Sequence, residues 1–324
     1  MSEFPLVSII SVNFNGLSYT LEMLASLQKL TYPEVEVIVV DNGSTEDAGE
    51  ISRQYPDTVF VRSEQNLGFA GGNNLGIARA KGRYLLFLNN DTEVHPDFLQ
   101  PLVKEFEQDT RLGLASPKIV YDEAGQRRII QYAGSTGINH YTMRGAKIGS
   151  FAEDKGQYDK VYDTALGHGA AMMIPMAVIK EVGLMPDIFF LYYEEHDWCE
   201  MIKRAGYKVR YVGTSVIYHK ESMTVGRNSP IKAYYMVRGR LLFTRRNTRG
   251  IKFISSSLFF GLFAFPKNTL RHLLKGELKL LKAYILGVGW HLKGRSASVN
   301  PQLSTGEDGQ PVITGDTVQQ IRRF

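Results

Sequence analysis

Along the first two-thirds of the chain, short apolar runs alternate with longer amphipathic stretches. Leu6–Val12, Val35–Val40, Thr58–Val61 and Tyr84–Leu88 read as buried strands. Between and after them, Tyr19–Leu30, Thr45–Gln54, Ala70–Ala80 and Pro96–Gln108 read as helices. This alternation predicts right-handed βαβ units and a mostly parallel sheet flanked by helices, an α/β domain. From Leu112 to about Tyr218 the pattern loosens, with Gly-rich turns at 134–137 and 167–169 and a last strand over Val209–Tyr218. Helical stretches then follow at Tyr234–Arg246, Ile251–Phe265 and Leu270–Leu286. The expected division is an α/β domain over 1–230, a helical region over 231–295 and a polar tail over 296–324.

Composition changes this picture in two ways. At 324 residues and 44% hydrophobic, the chain can bury a large core, which excludes a disordered polymer. Its single cysteine, Cys199, excludes an intrachain disulfide, and Met1-Ser-Glu-Phe-Pro has neither the basic nor the apolar region of an export signal, so a cytosolic location is expected. The net charge of +5 conceals an asymmetry: residues 1–230 carry 22 basic against 29 acidic side chains, a net of −7, and 231–324 carry 16 against 4, a net of +12. The basic third suits an anionic partner. It contains no recognisable base-reading module, so no nucleic-acid partner is expected.

Polar chemistry collects where strands end, the usual ligand edge of an open α/β sheet. "VVDNGST" (39–45) puts Asp41 at such an end, suited to a pyrimidine N–H or a ribose hydroxyl and equally to an Asx turn with a helix cap. "NLGFAGGNNLG" (66–76) spends four glycines and three asparagines on a loop and helix start, which permits close approach of backbone to a phosphate or sugar. It is neither a Walker loop nor GxGxxG. "FLNNDTEV" (87–94) ends an apolar strand in two amides and Asp91, a hard-oxygen ligand for Mg²⁺ or Mn²⁺. "YYEEHDW" (192–198) clusters Glu194, Glu195 and Asp197 beside aromatic residues, where carboxylates raise one another's pKa as a general base requires. "VIYHK" (216–220) ends a strand in His219.

In this order, together with "VSIISVNFNG" and "GHGAAMMI", these strings resemble the inverting glycosyltransferases of family 2, the rhamnosyltransferase-like group with a GT-A fold, over roughly the first 225 residues. The resemblance implies donor contacts from Val12, Asn13, Asn15 and Asp41, and a loop beneath the diphosphate formed by Asn66, Gly68 and Asn74. It implies Asn89, Asn90 and Gly169 along the donor, metal ligation by Asp91 and His219, a base at Glu195 flanked by Glu194 and Asp197, and Trp198 stacking on an acceptor ring. Two departures stand out: Asn89 replaces the first Asp of the DXD motif, and Glu195 occupies the base position of the usual Glu-Asp pair.

The implied reaction is metal-dependent transfer, with Mn²⁺ or Mg²⁺, to a lipid-linked or polysaccharide acceptor in cell-surface glycan synthesis. dTDP-rhamnose is the expected donor, with UDP-hexose or galactofuranose donors and a non-catalytic membrane-bound scaffold as alternatives. The thirteen-residue apolar run Phe253–Phe265, ended by Pro266, is too short to span a bilayer, which needs about 20 residues. With Arg245, Arg246, Arg249, Lys252, Lys267 and Arg271 around it, it is expected to lie on the anionic cytoplasmic face of the cell membrane, or to cover the core or a second copy in a homo-oligomer.

Overall fold

The computed structural model describes residues 4–122, 127–220 and 228–293, with the backbone of 302–305 and 311–314. Its main sheet comprises β1 (Val7–Asn13), β2 (Val35–Asn42), β3 (Val59–Ser63), β4 (Tyr84–Leu88), β5 (Thr92–Val94), β6 (Leu112–Tyr121), β7 (Ile130–Tyr132), β8 (Val161–Asp163), β9 (Ala171–Pro175) and β10 (Lys208–His219). The strand order is β3-β2-β1-β4-β9-β6-β10-β5, with β7 on β6 and β8 on β10. The first four strands are parallel, as the βαβ pattern requires. Antiparallel β9 then enters between β4 and β6 and turns the sheet mixed.

Helices cover both faces. On one side α1 (Leu17–Leu27) and α4 (Leu99–Gln108) bury Met23, Leu24, Leu102 and Phe106. On the other, α3 (Gly68–Ile77), α5 (Met176–Val182) and α6 (Glu194–Arg204) close over Ile10, Ile38 and Phe87. The stretch expected as a helix from Thr45 shortens to α2 (Glu50–Gln54), because the residues before it serve the strand ends: Glu46 Oε1 accepts the Leu17 N–H at 2.7 Å, and Thr45 N–H donates to Asn15 Oδ1 at 2.8 Å. In α3, Gly76 faces β1, where a Cβ would stand 2.3 Å from Ile10 Cγ2. Part of the glycine content expected to serve a phosphate therefore serves helix–strand packing.

The basic C-terminal region divides in two. α7 (Pro230–Asn247) lies against the α/β domain with Tyr234, Val237, Arg238, Leu242 and Phe243 buried. Beyond it, α8 (Gly250–Phe259), a π-helical turn (Phe260–Ala264) and α9 (Phe265–Leu274) follow without a break. The helix expected to end at Pro266 instead runs through it. Proline removes one N–H and crowds the carbonyl four residues back, and a π turn immediately upstream widens the backbone there. This rod leaves Ile251, Leu258, Leu262 and Phe263 exposed, as well as Leu270 and Leu274. α10 (Leu278–Gly289) returns along α7. Within the expected tail, β11 (Gln302–Thr305) and β12 (Pro311–Thr314) form an antiparallel pair; its other residues lie outside the described ones.

Candidate active site

The ends of β1, β2 and β4 meet at one edge. Asn13 and Asp41 are register partners, and Asn13 Nδ2 donates to Asp41 Oδ1 at 3.1 Å and to Ser44 Oγ at 3.2 Å. Asn13 Oδ1 accepts from Thr20 Oγ1 at 2.9 Å, and Thr20 Oγ1 in turn accepts from Asn90 Nδ2 at 3.0 Å. This buried chain of amides fixes Asp41 without using all of it: Asp41 is 0% exposed, and its Oδ2 has no hydrogen bond among the described residues, with Arg62 Nε 3.6 Å away. Asn15, at φ +50°, links the β1 exit to Ser44 and Thr45. Val12 lies half-buried one residue before Asn13.

The glycine-rich loop is held by asparagines. Asn42 Nδ2 donates to Asn66 Oδ1 and to the Gly68 carbonyl, both at 3.0 Å, and the Gly68 N–H donates to Asn66 Oδ1 at 2.8 Å. Gly68 adopts φ +75°, and a Cβ there would stand 2.2 Å from the Phe190 carbonyl oxygen, so only glycine fits. Asn74, expected beneath the diphosphate, instead bonds the Met185 backbone through both amide atoms, at 2.9 and 3.1 Å, and is a structural clamp.

Topology explains how Asp91 and His219 meet. β10 pairs antiparallel with β5, which makes His219 the register partner of Thr92, directly after Asp91. His219 Nε2 lies 3.0 Å from Asp91 Oδ1 and 3.4 Å from Asn89 Nδ2, while Nδ1 faces Gln131 Oε1 at 2.7 Å. The carbonyl oxygen of Gln131 calls for the proton on Nδ1, which turns the Nε2 lone pair toward Asp91, an arrangement that a proton or a cation between them stabilises. Asn89 Oδ1 is buried there without a hydrogen bond among the described residues. These donors fit a hard divalent ion held by one carboxylate and one imidazole. No group of three or more His, Cys, Asp or Glu that could hold a metal ion converges among the described residues.

The acidic segment sits at the start of α6, entered through three left-handed residues: Phe190 at φ +66°, Tyr192 at +66° and Tyr193 at +76°. Glu195 lies beside Gly169, where a Cβ would be 3.7 Å from Glu195 Cγ. Its Oε1 is 3.2 Å from His196 Nδ1, and its Oε2 is buried without a hydrogen bond among the described residues. The two glutamates, expected to raise one another, separate. Burial, then the charge of Glu195, pushes Glu194 well above the usual carboxylate range. Burial also acts upward on Glu195, but His196, nearby hydrogen bonds and Lys147 outweigh it and hold this carboxyl below its ordinary value. The two neighbouring carboxyls are thus pushed in opposite directions, Glu195 being the one kept toward its ionised form.

Two expected site residues are structural. Asp197 is 0% exposed and accepts from Arg246 Nε at 2.9 Å and Nη2 at 2.8 Å and from Asn247 Nδ2 at 2.6 Å, so its carboxylate is spent on fastening α6 to α7. Trp198 is also 0% exposed: its Nε1–H donates to the Gly183 carbonyl at 3.0 Å and its ring packs edge-on against Phe87, which leaves no face for an acceptor. The sequence signal was available, since Trp198, Met201 and Ile202 follow helical spacing and mark the buried face of α6. Sequence reasoning also missed His168, 6.3 Å from His219 between ring centres, and Lys147, whose Nζ is 2.8 Å from His168 Nε2. The "GHG" string around His168 hinted at the first; nothing marked Lys147 or Gln131.

A family model for glycosyl transferase family 2 matches residues 8–182. A low-salt glycan biosynthesis hexosyltransferase of Haloferax volcanii is 26% identical over 241 residues, 73% of this chain and 74% of that protein. An uncharacterized glycosyltransferase of Rickettsia typhi is 27% identical over 61% of this chain and 59% of its own length. Among solved structures, GalNAc-T7 with UDP, GalNAc and Mn²⁺ superposes with a TM-score of 0.58 at 18% identity, covering 82% of this chain and 57% of the other. The mannosyltransferase PcManGT of Pyrobaculum calidifontis with GDP-Man and Mn²⁺ gives 0.56 at 15%, covering 91% and 77%. S. aureus TarS with UDP-GlcNAc gives 0.56 at 16%, covering 88% and 81%. These likenesses establish the GT-A fold.

Proposed function

The chain belongs to glycosyl transferase family 2, and from that premise we propose that it transfers a hexose from a pyrimidine nucleoside diphosphate sugar to an acceptor hydroxyl, inverting the anomeric carbon. The observation that carries this reading is the placement of Asp91 Oδ1 and His219 Nε2, 3.0 Å apart, on the strand-end edge that also presents Asp41. Asp41 Oδ2, without a hydrogen bond among the described residues and 3.6 Å from Arg62 Nε, suits the N3–H of uracil or thymine. The loop at Asn66 and Gly68 would meet the diphosphate, and Asn89, 3.4 Å from His219 Nε2, would border the cation, while the Asn90 amide is spent on Asn13, Gly16 and Thr20.

Asp91 and His219 would hold Mn²⁺ or Mg²⁺, which when bound neutralises the charge of the departing diphosphate. Glu195 accepts the proton of the acceptor hydroxyl as its oxygen bonds to the anomeric carbon. The bond from that carbon to the diphosphate breaks, and its electron pair leaves with the nucleoside diphosphate. Glu194 beside it is pushed toward its protonated form by burial and by the charge of Glu195.

The motifs favour dTDP-rhamnose as donor, whereas the structural neighbours were solved with UDP, UDP-GlcNAc or GDP-Man. UDP-hexose and UDP-galactofuranose fit Asp41 equally. Donor hydrolysis across dTDP-rhamnose, the UDP-sugars and GDP-mannose, with Mn²⁺ and with Mg²⁺, separates them. Turnover of a pyrimidine donor is expected, faster with Mn²⁺ because imidazole favours it. No turnover of any donor would leave a non-catalytic scaffold. Glu195→Gln should keep donor binding and lose about 10²–10⁴-fold in transfer. Asp91→Ala and His219→Ala should each weaken cation-dependent nucleotide binding, and the double variant should lose little beyond the worse single one.

The same reading puts the protein on the cytoplasmic face of a membrane as a peripheral enzyme. Among the described residues no helix is long and apolar enough to cross a bilayer, so the exposed face of α8 and α9 would lie on the surface.

A further inference from the structure

Residues 168–170 join three parts of the site. The Ala170 carbonyl accepts the Asn89 N–H at 3.0 Å, at the end of β4 that leads to Asp91. Gly169 borders Glu195, and the His168 ring lies against that of His219. The His168 backbone is fixed in turn: its N–H donates to Ser116 Oγ at 3.2 Å, and that hydroxyl donates to the Ala171 carbonyl at 2.6 Å. On this imidazole rests Lys147, an exposed side chain from the segment that bridges to Ser135, with its Nζ 2.8 Å from His168 Nε2. The contact is poorly matched. The Ala170 N–H donates to His168 Nδ1 at 3.2 Å, which requires a lone pair there and puts the ring proton on Nε2, toward the ammonium. A cation that meets a donor in this way is placed to leave it for an anion.

We propose that Lys147 is a catalytic cation of the transfer site, which turns from His168 to the sugar-bearing phosphate of the bound nucleoside diphosphate sugar. The inference rests on the proposed transfer reaction and adds a residue to its machinery. Through His168, Lys147 stands next to both sides of that reaction: the ring of His219 on one hand, and Gly169 with Glu195 on the other. The flow of charge decides which side it serves. In the step, the acceptor oxygen bonds to the anomeric carbon, its proton passes to Glu195, and the electron pair of the broken carbon–oxygen bond stays on the diphosphate. Negative charge therefore disappears from Glu195 and appears on the phosphate. A lysine kept at Glu195 opposes that flow, because it helps to hold this carboxyl below its ordinary value and so weakens it as a base. A lysine that donates a hydrogen bond to the phosphate assists the flow, and it gives up no proton in doing so.

The test is calorimetric titration of the full chain, in the presence of Mn²⁺, with UDP, dTDP and UMP, for the wild type, Lys147→Met and Lys147→Arg. Loss of one charge-assisted hydrogen bond should weaken UDP and dTDP binding by about tenfold in Lys147→Met. UMP lacks the outer phosphate and should bind within about twofold of wild type, and Lys147→Arg should restore most of the UDP affinity. In donor hydrolysis by Lys147→Met, kcat should fall by a larger factor than KM rises, because the bond strengthens as charge develops on the leaving group. Unchanged UDP affinity would overturn the proposal. Equal losses on UDP and UMP with a lowered melting temperature would do so too, by making Lys147 a structural residue. A third contrary result is unchanged affinity joined to an acid limb of the rate profile that moves to higher pH, which would make Lys147 a partner of Glu195 alone. Wild-type protein that binds neither UDP nor dTDP with Mn²⁺ would sink the transfer reading itself. If it binds them and Lys147→Met binds them equally well, only the role of Lys147 fails.

Discussion

Helix α7 and the α8–α9 rod are neighbours in sequence and alike in composition, yet they behave in opposite ways. α7 buries its charge: Arg238 is 5% exposed and donates to the carbonyls of Ile188 and Phe189, and Arg246 grips the fully buried Asp197. The rod exposes its hydrocarbon, with Phe263 at 62% and Leu274 at 79%. Partners decide the difference. Arginines on α7 find a carboxylate and backbone carbonyls at the strained entry to α6, whereas the outer apolar side chains of the rod, Leu258, Leu262, Phe263 and Leu274, stay exposed among the described residues. A basic, apolar composition therefore fixes neither burial nor exposure.

The largest effect should come from breaking the α7 anchor. Asp197→Ala leaves Arg246 buried without its carboxylate, and denaturant unfolding should show a loss of about 3–5 kcal/mol. If the loss is below about 1 kcal/mol, the contrast with the rod collapses.

Asp187, on the segment that Arg238 holds, gives a pH test. Burial raises its pKa from 3.8 to about 6. A carboxyl raised in the folded state favours folding when protonated, and that contribution is lost as the pH climbs through about 6. Ionisation there costs up to about 3 kcal/mol. Asp187→Asn should remove that fall in stability from unfolding curves between about pH 4 and pH 8; an unchanged profile would mean that the carboxyl is solvated.

Gly239→Ala probes the α7 contact with less force, since the new Cβ would stand 2.9 Å from the Tyr192 carbonyl oxygen and 3.0 Å from Tyr193 Cδ2. Overpacking of about 1–3 kcal/mol, partly offset by about 1 kcal/mol of helix propensity, predicts a small stability loss with a clear drop in transfer rate. Nucleotide binding should persist, because the strand-end edge is not involved.

On the rod the smallest change is expected: Leu262→Ser and Phe263→Ser should alter stability by within about 0.5 kcal/mol while weakening vesicle binding. A large destabilisation would show that the face is covered by protein after all.

What the sequence disclosed follows the same contrast. The strands carrying Asn13, Asp41 and Asn89 were legible because fully buried strands are continuous apolar runs and their polar ends stand out. Asp91 and His219 were legible as strand ends, but their meeting depends on β10 pairing with β5, a long-range register that no local pattern carries. Asp197 looked catalytic because its partner lies 49 residues away on a helix that composition assigned to the membrane. Pro266 looked like a stop because a π turn leaves no mark in hydrophobic periodicity.

The left-handed turn at Phe190, Tyr192 and Tyr193 also bears on the order in which the molecule comes together. Each non-glycine residue held there costs on the order of 1–3 kcal/mol, a total comparable to the net stability of many domains. Such a turn cannot keep its shape from local preference, and Gly239 and Arg238 of α7 supply the contacts that hold it. A nascent chain emerges from its N-terminus onward. The strand-end edge of β1, β2 and β4 can thus form while synthesis continues, but the turn that leads into Glu194 and Glu195 gains its supporting contacts only after residues 230–247 have left the ribosome and docked. The turn before α6 therefore depends on chain made after the strand ends it faces.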